Sequence, residues 1–141
     1  MKDESSPITS DELVIRLIWS DFYRPDLTEV IRERAFKPRE EETDGISVFR
    51  SECLSDPRDA LAVMSPEKQA KYALALLPVA EILALGLTVQ PAMIHRVPGH
   101  AAIPELTITA LTNDSVKCKD LQRQLATIAS RNVIPPAGPK T

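Results

Sequence analysis

Four polar residues in this chain are of types that could do chemistry together: Arg16, Ser47, Arg50 and His100. Each falls on or beside a stretch that reads as a β-strand. If those strands are neighbours, two guanidinium groups, a hydroxyl and an imidazole converge on one cleft. Such a cleft would hold an anion such as a phosphate or carboxylate, because arginine offers paired donors in a planar fork and histidine exchanges a proton near neutral pH. These four are therefore the candidate catalytic or anion-binding residues. The competing reading is structural. Strand-borne arginines more often face solvent or pair with nearby acids, here Asp44 and Glu52, and a histidine that follows Pro-Gly more often caps its turn.

Other chemistries lack their residues. His95 and His100 lie in a Pro-Gly segment without clustered cysteine or carboxylate partners, so no metal site is expected, and no cofactor is implied. Cys53 and Cys118 match no metal or redox spacing and have no base beside them in sequence. They read as reduced thiols of an intracellular protein, Cys118 on the apolar side of a helix. No Gly-x-Ser-x-Gly elbow is present, and four glycines are too few for a phosphate-cradling loop.

The elements that must position the four residues can be read in part. Residues 13–19 alternate with period two, Arg16 being the one clearly polar tooth, which predicts a strand. Asp44-Gly45 marks a turn into a second strand at 46–49, Ile46 and Val48 on one face and Ser47 and Phe49 on the other. The apolar run 72–77 predicts a buried strand, Pro78 then opens a short helix ended by Gly86, and 87–89 resumes extended structure. Val97-Pro-Gly-His100 is turn chemistry and leads into a strand at 101–108, which Pro104 restricts to an edge or a bulge.

Around these lie helices and loops. Ser55-Asp-Pro57 and Ser65-Pro66 look like helix starts, opening short helices near 58–64 and 67–71. Asn113-Asp114 caps the longest helix, whose stripe Cys118, Leu121, Leu125 and Ile128 faces the sheet while Lys117, Lys119, Arg123 and Gln124 face water. Residues 37–44, with Glu40, Glu41 and Glu42 consecutive, read as a solvated flexible loop. The fold expected is α+β: one small domain over 11–134, with a mixed sheet of about four to five short strands, the C-terminal amphipathic helix and shorter helices packed on it. Residues 1–10 form a mobile N-terminal segment and 135–141 a Pro-rich tail.

A formal charge of −3 with interspersed signs gives no broad basic field, so nucleic acid is not an expected partner. No run approaches the roughly 20 apolar residues that span a bilayer, and the polar N-terminus lacks a signal-peptide core. A cytoplasmic address follows by default.

The succession Ala35-Phe36, Asp44-Gly-Ile-Ser-Val48, Gly86-Leu-Thr-Val89, Pro98-Gly-His-Ala101 and Leu125-Ala126 running to Val133-Ile-Pro-Pro136 resembles a group of short bacterial proteins without an established activity. The resemblance implies a free-standing bacterial domain and no particular chemistry. With every catalytic signature weak, the expected function is that of a non-enzymatic accessory or adaptor domain that binds another protein, by its edge strand at 101–108 or its acidic loop. The alternative is a small enzyme or an anion- or nucleotide-binding domain built on the Arg/Ser/His cleft.

Overall fold

Strand β1, Leu13–Trp19, is the spine of the fold. The structure, a computed structural model, describes residues 2–92 and 96–137. The other strands are β2 (Ile46–Arg50), β3 (Tyr72–Pro78), β4 (Gln90–Pro91), β5 (His100–Ile103) and β6 (Val133–Ile134). They form one sheet in the order β4-β5-β2-β1-β3-β6. The α+β class is as expected. The sheet has six strands, however, and every pairing is antiparallel rather than mixed. The segment that reads as strand, helix, strand would have supplied a parallel pair. Instead α2 (Val79–Ala84) and the following turn carry the chain across the sheet, and β4 pairs antiparallel with β5 on the opposite edge.

Alternation along β1 and β3 separates two apolar layers. Val14 and Ile18 with Ala73, Ala75 and Leu77 face the helices, meeting Ile82 of α2 and Leu125, Ile128 and Ala129 of α4 (Ser115–Ala129). Ile15 with Tyr72, Leu74 and Leu76 faces the other way, under a 3₁₀ turn at Pro57–Leu61. That second cover is thin and leaves part of the sheet face open.

The caps behave as their sequences suggest. Asp56 accepts from the Arg58 amide, Ser65 from Lys68 in α1 (Pro66–Gln69), and Asp114 from Lys117 at the start of α4. The strand expected over 101–108 is cut short at Ile103, and Thr107 caps a separate helix α3 (Ile108–Asn113) by accepting from the Ala110 amide. β5 is not an edge strand either, because Gln90 and Pro91 of β4 cover Ala102 and Ala101. Ile103 is fully buried in the core.

Gly99 explains how the Pro-Gly-His turn fits. It adopts φ +82°, and a Cβ there would lie 2.7 Å from the Cβ of Cys53, so only glycine suits both the backbone and the close approach. Residues 2–10, expected to be mobile, meet the body at several points: the Lys2 amide donates to the Glu52 carbonyl, and the Glu4 carboxylate accepts from the Gly99 amide at 2.9 Å.

Candidate functional site

The site begins where two strands part. β1 and β2 pair at Val14–Arg50 and Ile15–Phe49. Continuing that register would set Leu17 opposite Ser47, but at Ser47 the backbone partners are side chains: its carbonyl accepts from Arg16 Nη1 at 3.0 Å and its amide donates to Glu42 Oε2 at 2.5 Å. An ion pair thus replaces strand pairing. Arg16 Nη1 lies 2.6 Å from Glu42 Oε2, and Arg16 Nε donates to the Ala35 carbonyl at 3.0 Å. Both side chains are almost fully buried.

Glu42 corrects the reading of residues 37–44 as a solvated loop. Glu40 and Glu41 are exposed, but consecutive turns, Glu42 N to Arg39 O and Gly45 N to Glu42 O, make Glu42 a corner whose side chain points inward. Burial pushes its carboxyl pKa up. The Arg16 charge and the amides of Ser47 and Arg39 outweigh that and hold it below the usual glutamate range.

Ser47 and His100 meet on the opposite face of the sheet from the helices. β2 and β5 pair Phe49 with His100 and Ser47 with Ala102, so all four share a face. His100 Nε2 lies 3.1 Å from Ser47 Oγ, and its ring packs against Phe49 with centroids 5.3 Å apart. The imidazole therefore reaches across to the neighbouring strand. Together with the edge of Arg16 seen through the parted strands, Ser47 and His100 line a cleft of about 300 Å³ that also takes in Phe49, Tyr72 and Arg39.

Arg50 does not belong to it. Its register partner is Val14, which places it on the helix face. There it is fully buried and bonded along its whole fork: Nε and Nη2 to the Glu12 carboxylate at 2.9 and 3.0 Å, Nη1 to the Glu4 and Ser6 carbonyls, and Nη2 also to Ser6 Oγ and the Pro7 carbonyl. The hydrogen bond to Glu12 pushes the Arg50 pKa up. Neither arginine uses the acid expected from sequence: Glu42 and Glu12 take the places of Asp44 and Glu52. For Glu12, burial pushes the carboxyl up, and the Arg50 fork with the Thr9 amide outweighs it.

Three of the four expected residues therefore converge, with altered chemistry. Arg16 and Arg39 are balanced in the cleft by Glu42 and Glu41, so an incoming anion meets no net positive charge. The cleft suits a small polar, uncharged group that can exchange hydrogen bonds with the Ser47–His100 pair above the rings of Phe49 and Tyr72.

Among the described residues, no three His, Cys, Asp or Glu side chains gather as a metal site, and no helix is long and apolar enough to cross a membrane. His95 lies outside the described residues. Cys53 and Cys118 are buried free thiols whose pKa values burial pushes up, away from the nucleophilic thiolate. Compared with protein-family models, with curated proteins and with solved structures, the chain gives no match.

Proposed function

We propose that the chain is a non-enzymatic accessory domain that works by binding another protein in a bacterial cytoplasm. The observation that supports this reading is the closure of its arginines. Arg16 is held by Glu42 and two backbone carbonyls, and Arg50 by Glu12 and the segment from Glu4 to Pro7, so the groups that could have bound or activated an anionic substrate serve the fold. The Ser47 amide is occupied too, by Glu42, which removes the backbone donor an acyl-transfer site would use to stabilise an oxyanion. The bacterial setting rests on the sequence resemblance; the cytoplasmic one is the default reading, with which two free cysteines agree.

Strand addition is a poor route to such a partner. The outer strands β4 and β6 are two residues each, and β4 contains Pro91, which has no amide to donate. Side chains and loops are the better docking elements. Tagged at native expression in its own host, the chain should return with one protein at fixed stoichiometry; a clean monomer would contradict the reading.

The Ser47–His100 contact favours a second reading, a small polar ligand held in the cleft. A ligand bound only by the folded state raises its melting temperature. A compound screen by thermal shift should then find a hit that Ser47→Ala abolishes. Hits insensitive to that change would dismiss it.

A further inference from the structure

On the helix side, away from the cleft, a groove of about 560 Å³ lies between the 3₁₀ turn Glu33–Phe36 and the start of α4. Its charged lining is Arg34, Lys37 and Lys119 against Glu33 alone. All three cations are exposed, and none has an ion-pair partner among the described residues. Such a concentration runs against the net charge of the chain, which is −3. Elsewhere the buried arginines are matched by carboxylates; here three cations face the single carboxylate of Glu33.

Gln122 supplies an independent observation. It lines the same groove, is only 4% exposed, and its Nε2 is buried without a hydrogen-bond partner. An unpaired buried amide donor is destabilising, and native folds rarely leave one unless a ligand or water completes it. Its place on α4 is fixed from both sides, since Cys118 and Leu125 of the same helix are buried in the core. Asp114 already caps the helix through the Lys117 amide, so the free helix end is not what marks the groove.

We propose that this groove is an oxyanion-binding site, taking a phosphate or a carboxylate whose oxygens are met by Arg34, Lys37 and Lys119 and by the Gln122 amide. Charged donors supply most of the attraction, and the buried amide supplies direction. The site goes beyond the protein-binding reading and does not depend on it.

Calorimetric titration of the full chain with inorganic phosphate, and separately with citrate, at low ionic strength tests the site and distinguishes the two sources of oxyanion. Saturable binding of at least one is expected. Arg34→Met and Lys119→Met should each weaken it about tenfold, the loss of one charge-assisted hydrogen bond. Gln122→Leu should weaken it while the fold keeps its stability, because an apolar side chain of similar size replaces an unsatisfied one. Lys117→Met, two residues before Lys119 and outside the lining of the groove, should leave the affinity unchanged. Failure of both anions to bind would overturn the proposal. So would binding that survives Gln122→Leu and Lys119→Met intact, or that Lys117→Met weakens as much as Lys119→Met.

Discussion

Glu42 bonds Arg16 and Ser47 at once, with Oε2 2.6 Å from the Arg16 Nη1 and 2.5 Å from the Ser47 amide nitrogen. The contact joins a loop to the point where β1 and β2 separate, and it converts a gap in the sheet into a closed ion pair. A second buried pair, Arg50 with Glu12, ties down the N-terminal segment on the same, helix-covered face, since Arg50 pairs with Val14 and Arg16 lies two residues further along β1.

These two pairs set the behaviour of the fold in acid. Both carboxyls have folded pKa values below the ordinary glutamate range: in each, burial pushes upward, but the arginine and backbone amides outweigh it. A depressed folded value means that the stabilisation is fully present above the unfolded value, roughly pH 4.3. It is lost as pH falls through the folded values. Urea denaturation across pH 3 to 7 should therefore give a flat stability near neutrality and a decline in acid, with Glu42→Gln reducing the slope of that decline. An unchanged slope in the variant would separate Glu42 from the acid transition.

The Arg50 fork makes the N-terminal segment part of the fold. Removing residues 2–8 takes away the Glu4, Ser6 and Pro7 acceptors from a buried guanidinium. A loss of about 1–3 kcal/mol is expected, the penalty of leaving buried donors unsatisfied. Chemical denaturation of the truncated chain measures it, and equal stability would make the segment a passive tail.

Gly99 holds the turn that delivers His100 to Ser47. Gly99→Ala places a Cβ in a positive-φ backbone and against Cys53, and should destabilise the domain by about 1–3 kcal/mol. The His100 ring nitrogen shifts should move with it in the NMR spectrum, as the imidazole leaves the Ser47 hydroxyl. Unperturbed shifts would mean that the turn does not position the ring.

Sequence patterning foretold most of the elements because their signals are local. Alternation set β1, the Pro78 and Gly86 pair bounded α2, and the 3–4 spacing of Cys118, Leu121, Leu125 and Ile128 gave the inward stripe of α4, of which Leu121 is only half-buried. Failure came where tertiary contacts decide. Residues 101–108 are apolar enough for one strand, yet the Thr107 cap and the turn after Ile103 divide them into β5 and α3. The convergence of Ser47 and His100 followed from their strands. Arg50 was misplaced although alternation along its own strand sets it with Ile46 and Val48, on the face opposite Ser47; the pairing with Val14 shows that this face is the one the helices cover. Glu42 was hidden in a run of three glutamates. Only its corner position two residues before the Asp44-Gly45 turn could have distinguished it from Glu40 and Glu41.

The functional reading depends on Arg16 being closed by Glu42 in solution, and a double-mutant cycle on folding stability measures that closure directly. Arg16→Met and Glu42→Leu should each destabilise strongly, by about 3–5 kcal/mol, since each leaves a buried charge unpaired. The double variant should recover part of the loss, giving a coupling of about 2 kcal/mol. A coupling below about 0.5 kcal/mol would mean a guanidinium free to meet a ligand. The cleft would then be an anion site, and the reading of this chain as a binding module without chemistry of its own would fail.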